Sequence, residues 1–580
     1  FAGTDDFYMC FGENPYNPDT SNWYEYQLAD LESLVGSALD VSYLLDPADH
    51  GYLTAKGDDF VFEDGTKAEF WGTNVSGKMI FSQEDNKETL ELLVDVLAAC
   101  GYNLVRIMDW DASFYYPNIF GNANGWDGAT VSEQQLDQLH YFWSLCKERG
   151  IYIQFCMVGG RTGATDMVSG KLTEEEVADI GTGLKFEVYI DERLEESTKD
   201  LLRTVLGTQN KYTGIAPAQD SSLAMVEIAN ESNLTALYGV YASNTSYEFV
   251  SEEYKALFRE KFNQFLSDEY GSTAALKDAW AESGKTGLDS RTESLEEGTV
   301  KIDQRYLQSN YSAQRCADTF RFLYTLQYGF YERMANWAKN PVEEGGLGMK
   351  CIFAGTQNLS LSDRNDLFLN AHFDYIARHS YQSHPTTGTE YGVGTATGNS
   401  QSMIPGWTGN ALAQAGYRKV IGIPYIVNEI NEAEPNVHTA EFNLIAAAIF
   451  SYQGWSATHF TFGTRSLDNR MNIIDNSFTY LDNPTRFSTI ASSSLLYFRN
   501  EITQAETGYY RVFTVGESMQ YNSQSMGLPD GTYIVGKTGI YFADNDGNVL
   551  FYDEEVDVSY ESDQSLLEKI RHSLLTSAGG

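Results

Sequence analysis

Basic residues are scarce in this chain, and their scarcity excludes whole classes of function. Lysine and arginine together number 39 among 580 residues, against 81 aspartate and glutamate residues, which leaves a formal net charge of −42 at pH 7. Binding to nucleic acid needs clustered positive charge, so this balance argues strongly against a DNA or RNA partner. The same negative charge favours solubility and argues against adsorption to anionic membranes.

Long apolar runs and paired cysteines are lacking as well. No stretch of about 18 apolar residues occurs, so the sequence predicts no membrane-spanning helix and no membrane insertion. The six cysteines include no CxxC spacing, and no histidine completes a set of metal ligands with them. We interpret them as buried free thiols, which do not identify the cellular compartment. The chain opens at Phe1 without a signal peptide, and we expect that a leader or an upstream module has been removed.

Helices and strands alternate along most of the chain. Helical periodicity over 85–100 and 133–149 ends each time at a glycine, Gly101 or Gly150, and a β run follows directly. The predicted strands are 70–74, 103–108, 151–158, 222–229, 350–354, 373–379, 425–428 and 455–462. This repetition predicts a parallel sheet, and eight strands predict closure into a (β/α)8 TIM barrel over 51–500.

The other segments predict additions to that barrel. Residues 1–50 are acidic and turn-rich, and we expect an extension packed on the barrel. The stretch 59–71 reads as a hairpin around Asp64-Gly65, and 235–345 as a helical insertion. Residues 501–580 predict a small antiparallel β domain and a C-terminal tail, with a helix over 562–575. Asp544, Asp546 and Gly547 faintly resemble a calcium loop, but Phe542 occupies the first ligand position, so a hairpin turn is preferred.

Two glutamates stand at the ends of apolar runs that predict buried strands. Glu231 follows Asn230 and the run 223–229, and Glu429 ends the run 423–428. Active sites of β/α barrels are built at the carboxyl-terminal tips of the strands, so residues far apart in sequence meet there. Paired carboxylates across one cleft are the chemistry of glycoside hydrolysis, in which one is protonated as general acid and the other is ionised. A neutral amide such as Asn230 can bind a sugar hydroxyl beside the acid.

Further polar residues lie near the ends of predicted strands. Arg106 interrupts the apolar run 103–108, so it must point into a polar site or be paired. It could hold the Glu429 carboxylate ionised, and the alternative is a purely structural ion pair. Asp109 and Trp110 follow the same strand and would line the cleft, with Asp111 beside them. Asn74 ends the first predicted strand and is a candidate for substrate binding.

Aromatic and histidine candidates complete the predicted site. His379 and Tyr381 lie two residues apart at a strand end, so both can face one site, and His384 lies just beyond them. The Tyr381 hydroxyl could contact the nucleophile, while each histidine could instead be an ordinary core residue. Trp455 could form the floor under a sugar ring, and packing within the barrel is the alternative.

These motifs resemble the clan A glycoside hydrolases, the retaining (β/α)8 group of family 5-like cellulases, mannanases and β-galactosidases. The matching segments span roughly residues 40–500 in the expected order: 70–74 (FWGTN), 101–106 (GYNLVR), 226–231 (VEIANE), 379–381 (HSY), 425–429 (YIVNE) and 454–455 (GW). The resemblance implies Glu231 as acid/base and Glu429 as nucleophile, and it implies no cofactor and no metal. It also implies that Asn230, Arg106, His379, Tyr381 and Trp455 surround the reacting sugar.

One departure from the family pattern is visible. Met108 stands where many relatives place a histidine, which puts that substrate contact in doubt. The sequence thus predicts a secreted or cell-surface retaining β-glycosidase whose partner is a β-linked carbohydrate of glucan, mannan or galactan type. Two alternatives remain open, a non-catalytic carbohydrate-binding protein on the same fold and a transglycosylase that uses the same residues.

Overall fold

A computed structural model describes most of the chain. The residues described are 31–112, 117–121, 130–160, 173, 175, 187–234, 252–302, 311–357, 363–390, 393–397, 402–403, 410–467, 476–519, 528–529 and 531–552. The first 30 residues of the expected N-terminal extension, the expected helix over 562–575, and 235–251 and 303–310 of the expected insertion lie outside these ranges.

Sixteen strands are present in the described part of the chain. They are β1 (Leu53–Lys56), β2 (Asp59–Phe62), β3 (Lys67–Ala68), β4 (Trp71–Ser76), β5 (Leu104–Met108), β6 (Tyr152–Val158), β7 (Leu223–Ala229), β8 (Ile352–Ala354), β9 (Ile376–Tyr381), β10 (Thr386–Glu390), β11 (Val393–Thr397), β12 (Tyr425–Asn431), β13 (Ser456–His459), β14 (Gly508–Thr514), β15 (Lys537–Ala543) and β16 (Val549–Leu550).

The α-helices connect and cover these strands. They are Gly77–Ile80, Lys87–Ala99, Glu133–Glu148, Glu192–Gly207, Glu252–Tyr270, Thr273–Ala279, Ala313–Lys339, Asp363–Asn370, Ala411–Gly416, Thr439–Gln453, Pro484–Phe498 and Val515–Ser518. Gly101 and Gly150 adopt positive φ angles of 78° and 74° just beyond two of these helices, a conformation that glycine reaches without steric cost. The predicted helix ends at these glycines are confirmed. None of the described helices is long and apolar enough to cross a membrane.

Eight parallel strands form the barrel that the sequence predicts. Their order is β8-β7-β6-β5-β4-β13-β12-β9, and every neighbouring pair is parallel. The amide of Asp374, just before β9, donates to the Phe353 carbonyl of β8 at 2.9 Å, so the two ends of this order also meet. The strands are buried along nearly their whole length, as expected for a parallel sheet covered by helices.

The amino-terminal end of the barrel is closed by the sheet β1-β2-β3. Its Phe60 and Phe62 pack against Phe70, and Phe62 and Phe70 pack against Tyr152, the first residue of β6, with ring centroids 4.9 to 6.3 Å apart. The hairpin predicted over 59–71 is confirmed in β2 and β3, but it ends at Ala68 because Trp71 already belongs to the first barrel strand. This end of the barrel is therefore an apolar plug.

Three helices between 252 and 339 lie where the sequence predicts a helical insertion. Phe258 and Phe262 pack on Phe322 with centroids 5.3 and 5.1 Å apart. Arg315 makes a buried, two-bond ion pair with Glu293, at 2.7 and 3.0 Å. Arg321 also pairs with Glu269 at 3.0 Å, so apolar packing and ion pairs together hold this segment.

The C-terminal sheet lies where the sequence predicts it, but it is mixed rather than antiparallel. β14 and β15 pair in parallel, and only β15 and β16 are antiparallel. The reason is the long connection between β14 and β15, which allows the chain to cross over before it pairs again. Asp544 accepts from the amides of Asp546 and Asn548, so this carboxylate caps a hairpin turn, as preferred above.

Five of the six cysteines lie in the described ranges, and all five are free. Four of them are buried, at positions 100, 146, 156 and 351, and burial raises the pKa of each thiol. The interpretation as buried thiols is confirmed for these four.

Candidate active site

The ends of four barrel strands bring the predicted polar residues to one level. Glu429 on β12 pairs in register with His379 on β9, and Asn431 pairs with Tyr381. Arg106 lies in β5, which is separated from β12 by β4 and β13, and its side chain reaches Glu429. Since carboxyl ends of parallel strands share one rim, residues from positions 106, 231, 379 and 429 form one cluster.

Glu429 is enclosed and held by two hydrogen-bond donors. Its side chain is 3% exposed, and Arg106 Nη1 donates to its Oε1 at 2.6 Å. The Tyr381 hydroxyl donates to Oε2. We expected these bonds to lower the pKa of Glu429, but the net direction is upward because burial outweighs the opposing effects of His379, Arg106 and Tyr381. That expectation is corrected: the donors limit the rise in pKa rather than reverse it.

Glu231 stands just beyond the end of β7 in a strained backbone conformation. Its φ of 44° lies in the left-handed region, which only a few per cent of non-glycine residues adopt and which costs backbone strain. The turn projects the carboxylate toward His379, whose Nδ1 lies 2.6 Å from Glu231 Oε1. At 27% exposure, the Glu231 side chain is far more open to solvent than Glu429.

His379 lies between the two carboxylates. Its Nδ1 is 2.6 Å from Glu231 Oε1 and 3.3 Å from Glu429 Oε2. Burial lowers the pKa of His379 to about 4, despite the opposing charge of Glu429, so the ring is neutral near pH 7. A carboxylate oxygen of each glutamate and His379 Nδ1 all lie within 4.8 Å of one another. The two acids therefore share one small polar pocket.

Arg106 is fully buried at the centre of this cluster. It donates to both oxygens of Glu227, from Nε at 2.8 Å and from Nη2 at 3.0 Å. Its other bonds reach Glu429, Asn230 Oδ1 at 2.7 Å and Asn74 Oδ1 at 2.7 Å. Burial opposes the charge of Arg106, but the carboxylates of Glu227 and Glu429 raise the pKa of the guanidinium well above its usual value. Arg106 is thus a charged hub, and the sequence interpretation overlooked Glu227.

The signal that identifies Arg106 also marks Glu227. It is a charged residue within the apolar run of β7, between Val226 and Ile228, and such a residue must be paired inside a barrel. Its carboxylate is fully buried and also accepts from Asn428 Nδ2 at 3.0 Å.

Two predicted substrate contacts, Trp110 and Trp455, are instead structural, and a third, Asn74, is held inside the cluster. Asn74 is fully buried, and its amide nitrogen donates to the Asn428 carbonyl at 2.9 Å while its oxygen binds Arg106. Trp110 donates to the Cys156 carbonyl at 2.8 Å and is wholly buried. Trp455 precedes β13, at the end of that strand remote from the rim, and packs between Phe450 and other core rings. Trp110 and Trp455 thus pack in the core away from the cluster, whereas Asn74 shares Arg106 Nη1 with Glu429, so its contact with substrate stays a prediction.

The other predicted contacts lie near the rim. Asn230 is 7% exposed and binds Arg106, and Asp109 is 6% exposed with a positive φ of 52° at the end of β5. His384 is exposed, with its ring 6.0 Å from that of Tyr381. The structure therefore places all three at or beside the carboxyl-terminal ends of the strands.

Two phenylalanines beside Tyr381 were missed from the sequence. Phe460, directly after β13, and Phe478 have ring centroids 5.9 and 5.6 Å from Tyr381 and 5.6 Å from each other. Asn431 Nδ2 fixes this arrangement by donating to the Phe478 carbonyl at 2.7 Å and to the Phe460 carbonyl. We call Tyr381, His384, Phe460 and Phe478 the aromatic wall. An aromatic residue directly after the last barrel strand was the available signal.

Glu231, His379 and Glu429 also offer the atom types that bind metal ions. Two ligands at about 2.0–2.2 Å from a tetrahedral zinc stand about 3.3 Å apart. The separation of 2.6 Å between His379 Nδ1 and Glu231 Oε1 suits a direct hydrogen bond instead. The present geometry is that of a proton-sharing cluster.

Solved structures resemble this chain. The β-galactosidase of the Antarctic haloarchaeon Halorubrum lacusprofundi is 14% identical with a TM-score of 0.53, and the match covers 83% of this chain and 68% of that one. The endo-1,4-β-mannanase of Rhizomucor miehei is 11% identical with a TM-score of 0.40, covering 77% of this chain and 100% of that one. No protein-family model and no curated protein sequence matches the chain. The first similarity confirms the barrel fold that the resemblance to clan A glycoside hydrolases predicted.

Proposed function

We propose that this protein is a retaining β-glycoside hydrolase that cleaves a β-linked polysaccharide or oligosaccharide by double displacement. The observation that carries the proposal is the pocket in which Glu231 and Glu429, from two strand ends of the barrel, both lie against His379 Nδ1. Retaining enzymes need their two carboxyl groups about 5–5.5 Å apart, whereas inverting enzymes keep about 6.5–9.5 Å for a water molecule. Carboxylate oxygens within 4.8 Å of each other support the retaining arrangement.

The contacts of the two glutamates support different roles. In the first step, a Glu429 oxygen forms a bond to the anomeric carbon while the bond from that carbon to the leaving oxygen breaks. Glu231 gives its proton to that leaving oxygen. In the second step, water attacks the anomeric carbon, Glu231 takes the proton of the water, and Glu429 leaves as a carboxylate.

Burial and hydrogen bonding favour this division of labour. Glu429 is enclosed by fixed donors from Arg106 and Tyr381, which orient its carboxylate for attack. Glu231 is more open and lies beside a neutral histidine, so it can exchange protons with a leaving group and with water. Phe460 and Phe478 offer apolar faces against which a sugar ring can stack.

A panel of 4-nitrophenyl β-glycosides, followed by mannan, glucan and galactan, tests the activity. We expect hydrolysis of at least one aryl β-glycoside with the β anomer formed first, as observed by NMR. Formation of the α anomer first would contradict double displacement, and binding of glycans without turnover would contradict an enzyme. Because polymers of this kind lie outside cells, we also propose secretion or display at the cell surface, which cell fractionation tests.

Rescue by azide tests the two roles separately. Azide should restore Glu429→Ala to an α-glycosyl azide, since it attacks the substrate directly, and Glu231→Ala to a β-glycosyl azide, since it attacks the intermediate. The opposite pattern of anomers would exchange the two assignments.

A further inference from the structure

Glu227 cannot reach a substrate, yet it is bound to the centre of the site. Its carboxylate is fully buried and is enclosed by Arg106 on both oxygens and by Asn428 Nδ2 on one of them. It lies on β7, the strand that leads into Glu231. Arg106 is the contact through which Glu227 reaches Glu429 most directly. Asn428, which precedes Glu429, is a second route, and the charge of Glu227 also raises the pKa of His379 against the larger effect of burial.

The charges around Arg106 do not balance in the resting site. One guanidinium contacts two carboxylates, Glu227 and Glu429. His379 and Tyr381, which also face Glu429, are neutral near pH 7, because burial lowers the pKa of His379 and raises the pKa of Tyr381. Glu231 adjoins this group through His379, and Cys156 is a buried thiol near Arg106. A guanidinium shared between two anions is the resting state.

We propose that Glu227 is the permanent counter-ion of Arg106, and that it keeps the guanidinium paired when Glu429 loses its charge in the covalent glycosyl-enzyme. This inference rests on the proposed function, because only double displacement converts Glu429 into a neutral ester. In the ester, Arg106 and Glu227 remain as a balanced ion pair. Without the charge of Glu227, the same step would leave a buried cation alone, and such a charge is strongly unfavourable.

The second anion also acts before the reaction. Because Glu227 occupies one edge of the guanidinium through Nε and Nη2, Arg106 is only partly available to Glu429, which binds Nη1. A nucleophile that is less strongly stabilised as an ion gives up its charge more readily in the transition state. Both effects predict that Glu227 accelerates formation of the glycosyl-enzyme without touching the sugar, so it is a positioning residue.

Glu227→Gln in the full chain tests the proposal, because it keeps the shape and removes the charge. We expect glycosylation, measured by trapping with an activated 2-deoxy-2-fluoro glycoside, to slow by roughly 10²-fold, the size typical of a lost electrostatic contact at a reacting centre. Arg106 would then be paired with the carboxylate of Glu429 alone, so the pKa of Glu429 would fall. The acidic limb of the pH profile of kcat/KM would therefore move to lower pH. Glu227→Asp, which keeps the charge, should return the acidic limb toward the wild-type position.

Glu293→Gln is the matched control. Glu293 makes the same buried two-bond pair, with Arg315, but among the helices of 252–339. It should lower the unfolding temperature without moving the acidic limb or the trapping rate. If Glu227→Gln affects stability alone, as Glu293→Gln does, the proposal is overturned.

A measurement without substrate separates this inference from the proposed function. Glu429 has a raised pKa in the folded protein, so its stabilising contribution is present at low pH and is lost as pH rises through the folded pKa. In Glu227→Gln that pKa is lower, and the loss should be smaller. The difference in unfolding temperature between each protein and its Glu429→Gln derivative, followed from pH 4 to 8, reports this. An unchanged pH dependence overturns the charge coupling, whereas inactivity of the wild type on every glycoside overturns double displacement itself.

Discussion

The two ends of the barrel belong to the same strands, but one end is apolar and the other carries buried charged side chains. At the amino-terminal end, Phe60, Phe62, Phe70 and Tyr152 pack into an apolar plug under the sheet β1-β2-β3. At the carboxyl-terminal end, buried charges meet, and Glu231 adopts a left-handed backbone. Free energy gained at the plug offsets the cost of strain and buried charge at the rim. The comparison predicts that substitutions at one end change activity and those at the other change stability.

Removing Glu429, the proposed nucleophile, should give the largest effect on activity. Glu429→Ala should lower kcat/KM roughly 10⁴-fold or more, because no covalent intermediate can form. Glu432→Gln is the matched control: it lies three residues further on, and its Oε1 is occupied by Asn436 Nδ2 at 2.6 Å. Burial raises the pKa of Glu432 to about 8, so it is mostly neutral at pH 7 and a neutral glutamine should leave activity near wild type. Steady-state kinetics decide, and loss of activity in Glu432→Gln alone would shift the nucleophile to that residue.

Truncation of the plug should give the converse result. Phe70 is fully buried among three aromatic rings, so Phe70→Ala should lower the free energy of unfolding by about 3–5 kcal/mol through lost burial and a cavity. The kcat of the folded protein should stay within about twofold, because the plug and the rim lie at opposite strand ends. Urea unfolding and kinetics at low temperature measure the two quantities. A drop in kcat with little loss of stability would contradict the separation.

Replacing Arg106 at the carboxyl-terminal end of the barrel should lower the rate less than replacing Glu429, and the effect should depend on pH. Arg106→Ala should slow turnover roughly 10²-fold, since a fixed donor to Glu429, the proposed nucleophile, is lost. Arg106 lowers the pKa of Glu429, so its removal raises that pKa, and ionised Glu429 then appears only at higher pH. The acidic limb of the pH–rate profile should move to higher pH, opposite to the shift expected for Glu227→Gln. A folded Arg106→Ala enzyme with an unchanged limb would make Arg106 a purely structural residue.

The aromatic wall should give the smallest effect. Phe478→Ala removes one apolar face beside Tyr381, and stacking of this kind contributes about 0.5–1.5 kcal/mol. We expect KM to rise about three- to tenfold while kcat changes little. An unchanged KM on every oligosaccharide tested would exclude the wall from substrate binding.

The sequence predicted the barrel and both glutamates because apolar runs followed by a carboxylate report strand ends directly. It placed Arg106 in a polar site by the same logic, since a charge within a buried strand needs a partner. It misplaced Trp110 and Trp455, because being next to a strand does not tell which end, or which face, a side chain occupies. The sequence also did not predict that β14 and β15 pair in parallel, since the direction of pairing depends on the path of the chain that connects them. The direction of the pKa shift of Glu429 depends on the extent of burial, which only the assembled barrel determines.

The contacts of Arg106 make the site the product of the whole chain rather than of any part of it. The guanidinium joins Asn74, Glu227, Asn230 and Glu429, which are contributed by regions spread over more than half of the sequence. A nascent chain therefore has no assembled hub until β12 has been synthesised and folded. A protein divided at Gly284, between the helices of the insertion, should give two segments that are each inactive alone. Turnover should then appear only when the two segments reassemble, because each contributes residues that Arg106 must bind at the same time.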